Sequence, residues 1–125
     1  MEFEEKLREL SIKVTNILVE KNKKYGNSFY EGLDELKEIY TKNKLGKTLH
    51  YFSFYVREKD KLNRLKNLID SDIEQKDKKS AIFDAVLDIV GYGLLFLNYI
   101  QNEKNMEENG DISKWIREKE KLIKQ

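Results

Sequence analysis

Among its 125 residues the chain has no cysteine, no proline and a single histidine, His50. Without cysteine there is no disulfide, no thiolate-bound zinc, no iron–sulfur cluster and no thiol nucleophile. One histidine cannot build a histidine-rich zinc site, and no Gly-x-Ser-x-Gly turn is present to expose a catalytic serine. Charge of one sign is also missing: 24 Lys and Arg face 23 Asp and Glu, a net charge of +1. Such a chain has no overall field to draw in duplex nucleic acid or an anionic membrane, so affinity for phosphate has to come from a local cluster. The N-terminus, Met1-Glu2-Phe3-Glu4-Glu5, has no basic segment followed by an apolar one, and the expected location is cytoplasmic.

Glycine is scarce as well, with six in the chain, so few turns are encoded. Long uninterrupted helices fit this better than a sandwich that turns every ten residues or so. The expected fold is all-α: one domain over 1–125, with four main helices and a short C-terminal helical appendage over 109–125. Phe3, Leu7, Leu10, Val14 and Ile17 alternate at steps of four and three and mark a first helix ending near Lys24. Gly26 suits the left-handed closure of that helix, and Ser28 suits the cap of the next. The second helix carries Phe29, Leu33, Leu36 and Tyr40 and stops at Asn43 to Gly46. A third, from about Thr48 to Ile69, is expected to turn Tyr51, Phe54, Tyr55, Leu62, Leu65 and Ile69 inward. Arg57, Asp60, Lys61 and Arg64 would then lie on another face. A polar linker is expected from Asp70 to Lys79.

The fourth helix, about Ser80 to Gln101, is apolar nearly all round and should be covered on most sides. Asp84 and Asp88 interrupt it, which argues against a membrane span. Its need for cover predicts a homo-oligomer, a dimer in which a second subunit completes the cover. After Asn109-Gly110, with Asp111 or Ser113 as cap, a last helix bears Ile112, Trp115, Ile116, Leu122 and Ile123.

Asp84 and Asp88 are the most informative residues. Four apart, they share one face of the most apolar helix, where two like charges repel and lose hydration. A compensating cation is expected, either a hard divalent ion such as magnesium or manganese, or Lys and Arg from the neighbouring helix. Arg57, Lys61 and Arg64 surround Asp60 on the preceding helix and leave a net positive face suited to phosphate, though such a face by itself is usually a solvated one. The segment Lys21 to Phe29 reads locally as a helix end and turn, with lysines favourable at a helix C-terminus. Tyr25 and Phe29 either stack on a base or join the core.

Lys21-Asn22-x-x-Tyr25-Gly26-Asn27-Ser28, then Asp60-Lys61-Leu62-x-Arg64-Leu65, then Asp84-x-x-x-Asp88-Ile89-x-x-Tyr92, together resemble the phage and bacterial nucleotide-modification-associated domain 1 group. That group is similar to the all-α nucleoside triphosphate pyrophosphohydrolases of the MazG and dimeric dUTPase kind. The resemblance spans about Asn16 to Ile100. It implies a helical bundle, often a dimer or tetramer, that uses magnesium to cleave a (deoxy)nucleoside triphosphate between its α and β phosphates. Asp84 and Asp88 would be metal ligands and, with Lys61, the catalytic residues. Arg57, Lys61 and Arg64 would face phosphates, and Tyr25, Asn27, Ser28 and Tyr92 the nucleoside. The chain departs from the group in carrying Ser80 where a Glu is common, and in lacking a Glu-x-x-Glu pair on the third helix. Those departures keep a second expectation open, a regulator or phage sponge that binds a nucleotide or cyclic nucleotide without cleaving it. A third is a helical phage inhibitor that docks on a protein through Trp115.

Overall fold

A computed structural model describes residues 2–46, 48–103 and 112–124. All regular structure among them is helical: α1 (Glu2–Lys24), α2 (Ser28–Lys42), a single 3-10 turn (Leu49–Tyr51), α3 (Phe52–Ile69), α4 (Gln75–Asn102) and α5 (Ile112–Lys124). Four main helices and a shorter C-terminal one are as the periodicity and the lack of proline require. The chain falls into two compact units, Met1–Tyr92 and Gly93–Gln125, divided within α4.

In the first unit, α1 opens with Glu2, Glu4 and Glu5 and closes with Lys21, Lys23 and Lys24, each sign set against the opposite end of the helix dipole. Gly26 has φ +65 and Asn27 φ 61, two consecutive left-handed residues that reverse the chain in three positions. Asn27 occupies the N-cap of α2, and Ser28, expected there, is the first residue of the helix. No side-chain cap bond is made. The Asn27 side chain is instead engaged across the turn, its Oδ1 accepting from Asn22 Nδ2 at 3.0 Å.

The buried apolar residues of this unit are Phe29, Leu33 and Ala85. His50 is buried too, in the 3-10 turn against α2 and α3, with its ring 4.6 Å from that of Tyr51. On α3 the inward line is Phe54, Glu58, Lys61, Leu65 and Leu68, all half-buried. Tyr55, Leu62 and Ile69, expected inside, are more than half exposed. The inward face is thus rotated from the one the apolar residues alone suggest, because it takes up two charged side chains. Likewise α1 turns Val14 and Leu18 inward and leaves Phe3, Leu7, Leu10 and Ile17 exposed.

The second half of the expected linker over 70–79 is helix, since α4 begins at Gln75 and only 70–74 lie outside helices. Gln75 to Lys79 are fair helix formers without an apolar stripe, so periodicity does not reveal them. Lys78 ties this start back to the end of α3, its Nζ donating to the Ser71 carbonyl at 3.0 Å. Gly91 of α4 is where α1 comes close: a Cβ there would lie 3.1 Å from Leu18 Cδ1.

The expected cover of α4 on most sides is not found among the described residues: Phe83, Val86 and Val90 are exposed. By length and composition α4 could cross a membrane, with an 18-residue window of mean hydropathy 1.8. Core helices pass the same test. In the second unit Tyr99 is buried, while Trp115, Leu122 and Ile123 of α5 are exposed and Lys119 Nζ lies 5.4 Å from the Trp115 ring centre. Asn109, Gly110 and Asp111, expected to start this helix, lie outside the described residues.

Candidate functional site

Positions 84, 88 and 92 of α4 follow one another by single helical turns and form a line of Asp, Asp and Tyr. Asp88 is the best held of the three. Its Oδ2 lies 3.2 Å from Lys61 Nζ of α3, and its Oδ1 3.8 Å from Lys21 Nζ of α1. The Asp88 and Lys61 side chains are 28% and 27% exposed. Such a carboxylate is screened by water on one side only, and two cations compensate for the hydration it has lost. Of the alternatives left open by the sequence, Lys from neighbouring helices is what meets Asp88. Asp84, one turn earlier, is exposed.

One turn further along α4, Tyr92 stacks on Phe29 at the start of α2, with ring centres 5.7 Å apart and planes at 29°. Arg57 of α3 lies over both, its guanidinium carbon 5.7 Å from the Phe29 ring centre and 5.4 Å from that of Tyr92. Cation–π attraction holds the guanidinium there while its N–H groups remain free to face water or an anion. Phe29 reaches this place because of the turn before it. Tyr25 N and Asn27 N donate to the carbonyls of Lys21 and Asn22 at 3.0 and 3.1 Å, so α2 starts immediately beside the last turn of α1.

The three sequence motifs therefore meet in the first unit, each through part of its residues: Lys21 and Phe29, Arg57 and Lys61, Asp88 and Tyr92. Two lysines meet one carboxylate and an arginine lies on the aromatic pair one turn further along α4, an arrangement able to hold a phosphate next to a flat ring. Arg64 belongs elsewhere. Two turns beyond Arg57, about 10 Å along the axis, it lines an open depression with Asp60, Asn63, Asn67 and Ser71. Tyr25 and Ser28 are exposed, and Asn27 is engaged with Asn22.

Phe29 was legible only as core or stacking residue, because its partner Tyr92 lies 63 positions away in the sequence. Glu58 is an inward-facing residue that the spacing did not place inside. Glu58 faces inward one turn from Lys61, its Oε1 buried without a hydrogen-bond partner among the described residues. Burial raises its pKa above the ordinary 4.5. A carboxyl with a raised folded-state pKa favours folding most when protonated, below its unfolded value, and this contribution is lost as pH rises through the folded value. Glu58→Gln is accordingly expected to raise the melting temperature at pH 7, with the gain shrinking towards pH 4. A gain that is constant with pH in thermal melts would contradict this assignment.

Among the described residues no three Asp, Glu or His side chains converge on one point. Asp84 and Asp88 on one face of α4 are a pair of carboxylates, the number that a magnesium ion commonly takes when water and phosphate oxygens fill its other positions. No family model, no curated protein and no solved structure matches the chain.

Proposed function

We propose that the protein binds a nucleoside triphosphate at Asp88 and its surroundings and is a magnesium-dependent pyrophosphohydrolase-like enzyme, cleaving between the α and β phosphates. The observation that carries this reading is the meeting of Lys21 and Lys61 at Asp88, with Arg57 on the Phe29–Tyr92 pair one turn further along α4. In this reading Lys21 and Lys61, held by Asp88 while no nucleotide is bound, pass to the phosphates. Arg57 holds a further phosphate oxygen from its seat on the two rings, and the base lies along the aromatic side towards Tyr25 and the Asn27-Ser28 turn. Arg64 would meet only a phosphate that extends along α3. Magnesium, held by Asp84 and Asp88, would polarise a phosphoryl oxygen. The chain's own cations stabilise charge on the departing pyrophosphate. Water supplies the hydroxyl that remains on the nucleoside monophosphate.

A second reading is favoured by the two lysines already on Asp88, because they compete with any metal for its oxygens. It is binding of a nucleotide or cyclic nucleotide without cleavage. Pyrophosphate release from a panel of nucleoside triphosphates, with and without magnesium, separates the two. Release that needs magnesium supports the enzyme, whereas tight binding by calorimetry in the presence of a chelator, with no product, supports the binder. Both require that some nucleotide raise the melting temperature, by mass action on the folded state. If no nucleotide shifts it, with or without magnesium, both are wrong and the docking role of Trp115 gains ground.

A further inference from the structure

The second unit carries a helix with two unlike sides. Along α5, Trp115, Ile116, Leu122 and Ile123 fall within an arc of about 120°. They are 54%, 44%, 62% and 83% exposed, so this apolar side stands in water. On the far side Lys114, Arg117, Lys121 and Lys124 fall within about 80° of one another, and all four are exposed. Five Lys and Arg against two Glu give α5 a charge of +3, while the whole chain has only +1, so the rest of the protein is net negative. The near-neutral total therefore hides a local concentration of positive charge on the helix whose apolar side is open.

From this we infer that α5 is an interfacial anchor that lies flat on a bilayer of anionic phospholipid, with Trp115, Ile116, Leu122 and Ile123 in the acyl boundary. A basic helix with a compact apolar side and low overall hydropathy partitions in this way. Its 13 residues reach about 20 Å, short of the ~30 Å hydrocarbon core, so it lies on the bilayer instead of crossing it. Such a helix sits roughly 5–10 Å deep and is itself only ~10 Å across. Its far-side cations then stay within a Debye length of the headgroup phosphates, ~8 Å at physiological salt.

Lys119 decides between a lipid surface and a groove on another protein. It stands in the middle of the apolar arc, one turn from Trp115, and its Nζ lies 5.4 Å from the Trp115 ring centre. A protein groove that closed on this arc would strip the ammonium of water without a counter-charge. At a bilayer surface the four-carbon stem lies along the apolar side and carries the charge out to the phosphates. Tryptophan, beside it here, is enriched at that same level of a membrane. Glu118 and Glu120 stand at the two edges of the arc, where they weaken attachment to an anionic surface without reversing it.

The inference does not depend on nucleotide binding and is tested without nucleotide. Trp115 is the only tryptophan in the chain, so its emission reports on α5. Vesicles of phosphatidylcholine and phosphatidylglycerol in equal parts, added to the full chain, are expected to shift that emission to the blue and to carry the chain up in flotation. Both effects should be absent with phosphatidylcholine alone and should fall steeply at about 1 M salt, where the Debye length is ~3 Å. Lys121→Glu with Lys124→Glu should weaken vesicle binding by more than about tenfold, and Glu118→Gln with Glu120→Gln should strengthen it. Leu122→Asp should abolish binding and leave the melting temperature unchanged, because Leu122 is exposed. Equal binding to neutral and anionic vesicles overturns the inference, as does flotation that survives Leu122→Asp. So does emission already blue-shifted before vesicles are added. An equal shift with poly-glutamate, which offers charge without an apolar phase, would assign α5 to an acidic protein and overturn it too.

Discussion

Leu33→Ala is expected to destabilise the protein by about 2–5 kcal/mol, the usual cost of emptying a packed leucine site. Leu33 is 1% exposed, one of the largest side chains that the fold buries completely. It lies on α2 one turn beyond Phe29, so it also anchors the helix that brings Phe29 to Tyr92. Small domains have only about 5–15 kcal/mol in total, so the change removes a large share of the stability. In thermal melts the midpoint should fall by roughly 8–20 °C, and nucleotide binding should weaken with it as Phe29 loses its seat. The same substitution at Leu36, half-buried one turn on, should cost less. Equal effects at the two positions, or a shift of under about 3 °C at Leu33, would mean that α2 does not carry the core.

On the enzymatic reading proposed above, Asp88→Asn should have the opposite profile, a small change in stability and a large one in pyrophosphate release. The pair with Lys61 is about a quarter exposed and that with Lys21 about half exposed on the lysine side, so solvent screens both. Their loss should cost on the order of 1 kcal/mol. Pyrophosphate release should fall about 100-fold or more, the scale of losing one well-placed electrostatic group in an active site. Asp84→Asn should reduce release in the same direction with no measurable change in melting temperature, since Asp84 is exposed. Release that survives both substitutions would place the chemistry elsewhere. For the non-cleaving reading the expectation reverses: Asp88→Asn frees Lys21 and Lys61 and should tighten nucleotide binding.

The helical character of the chain and the reversal at Gly26 are local properties, and they were legible, whereas the start of α4 at Gln75 was not. Lack of proline, the step of three and four in α1, and Gly26 at a reversal follow from backbone sterics and one-dimensional periodicity. That Asp84 and Asp88 share a face is likewise a property of a single helix, as is the grouping of Arg57 with Lys61. Which face of α3 turns inward was not legible. Tyr55, Leu62 and Ile69 form as good a stripe as the buried one, and Lys61 lies inside only because Asp88 waits there. Glu58 was hidden for the same reason, a charged residue being read as outside until its neighbours are known.

What the sequence determined by itself is a cysteine-free, all-α chain whose net charge of +1 conceals two opposed local clusters. Tertiary structure decided which members of those clusters meet. It set Asp88 rather than Asp84 between two lysines, put Arg57 rather than Arg64 on the aromatic pair, and left the most apolar side of α4 in water. The physical reason is that a helical repeat fixes only which residues of one helix share a side. The partner of each side depends on residues far away in the sequence, as Lys21, Phe29 and Arg57 are from Asp88 and Tyr92.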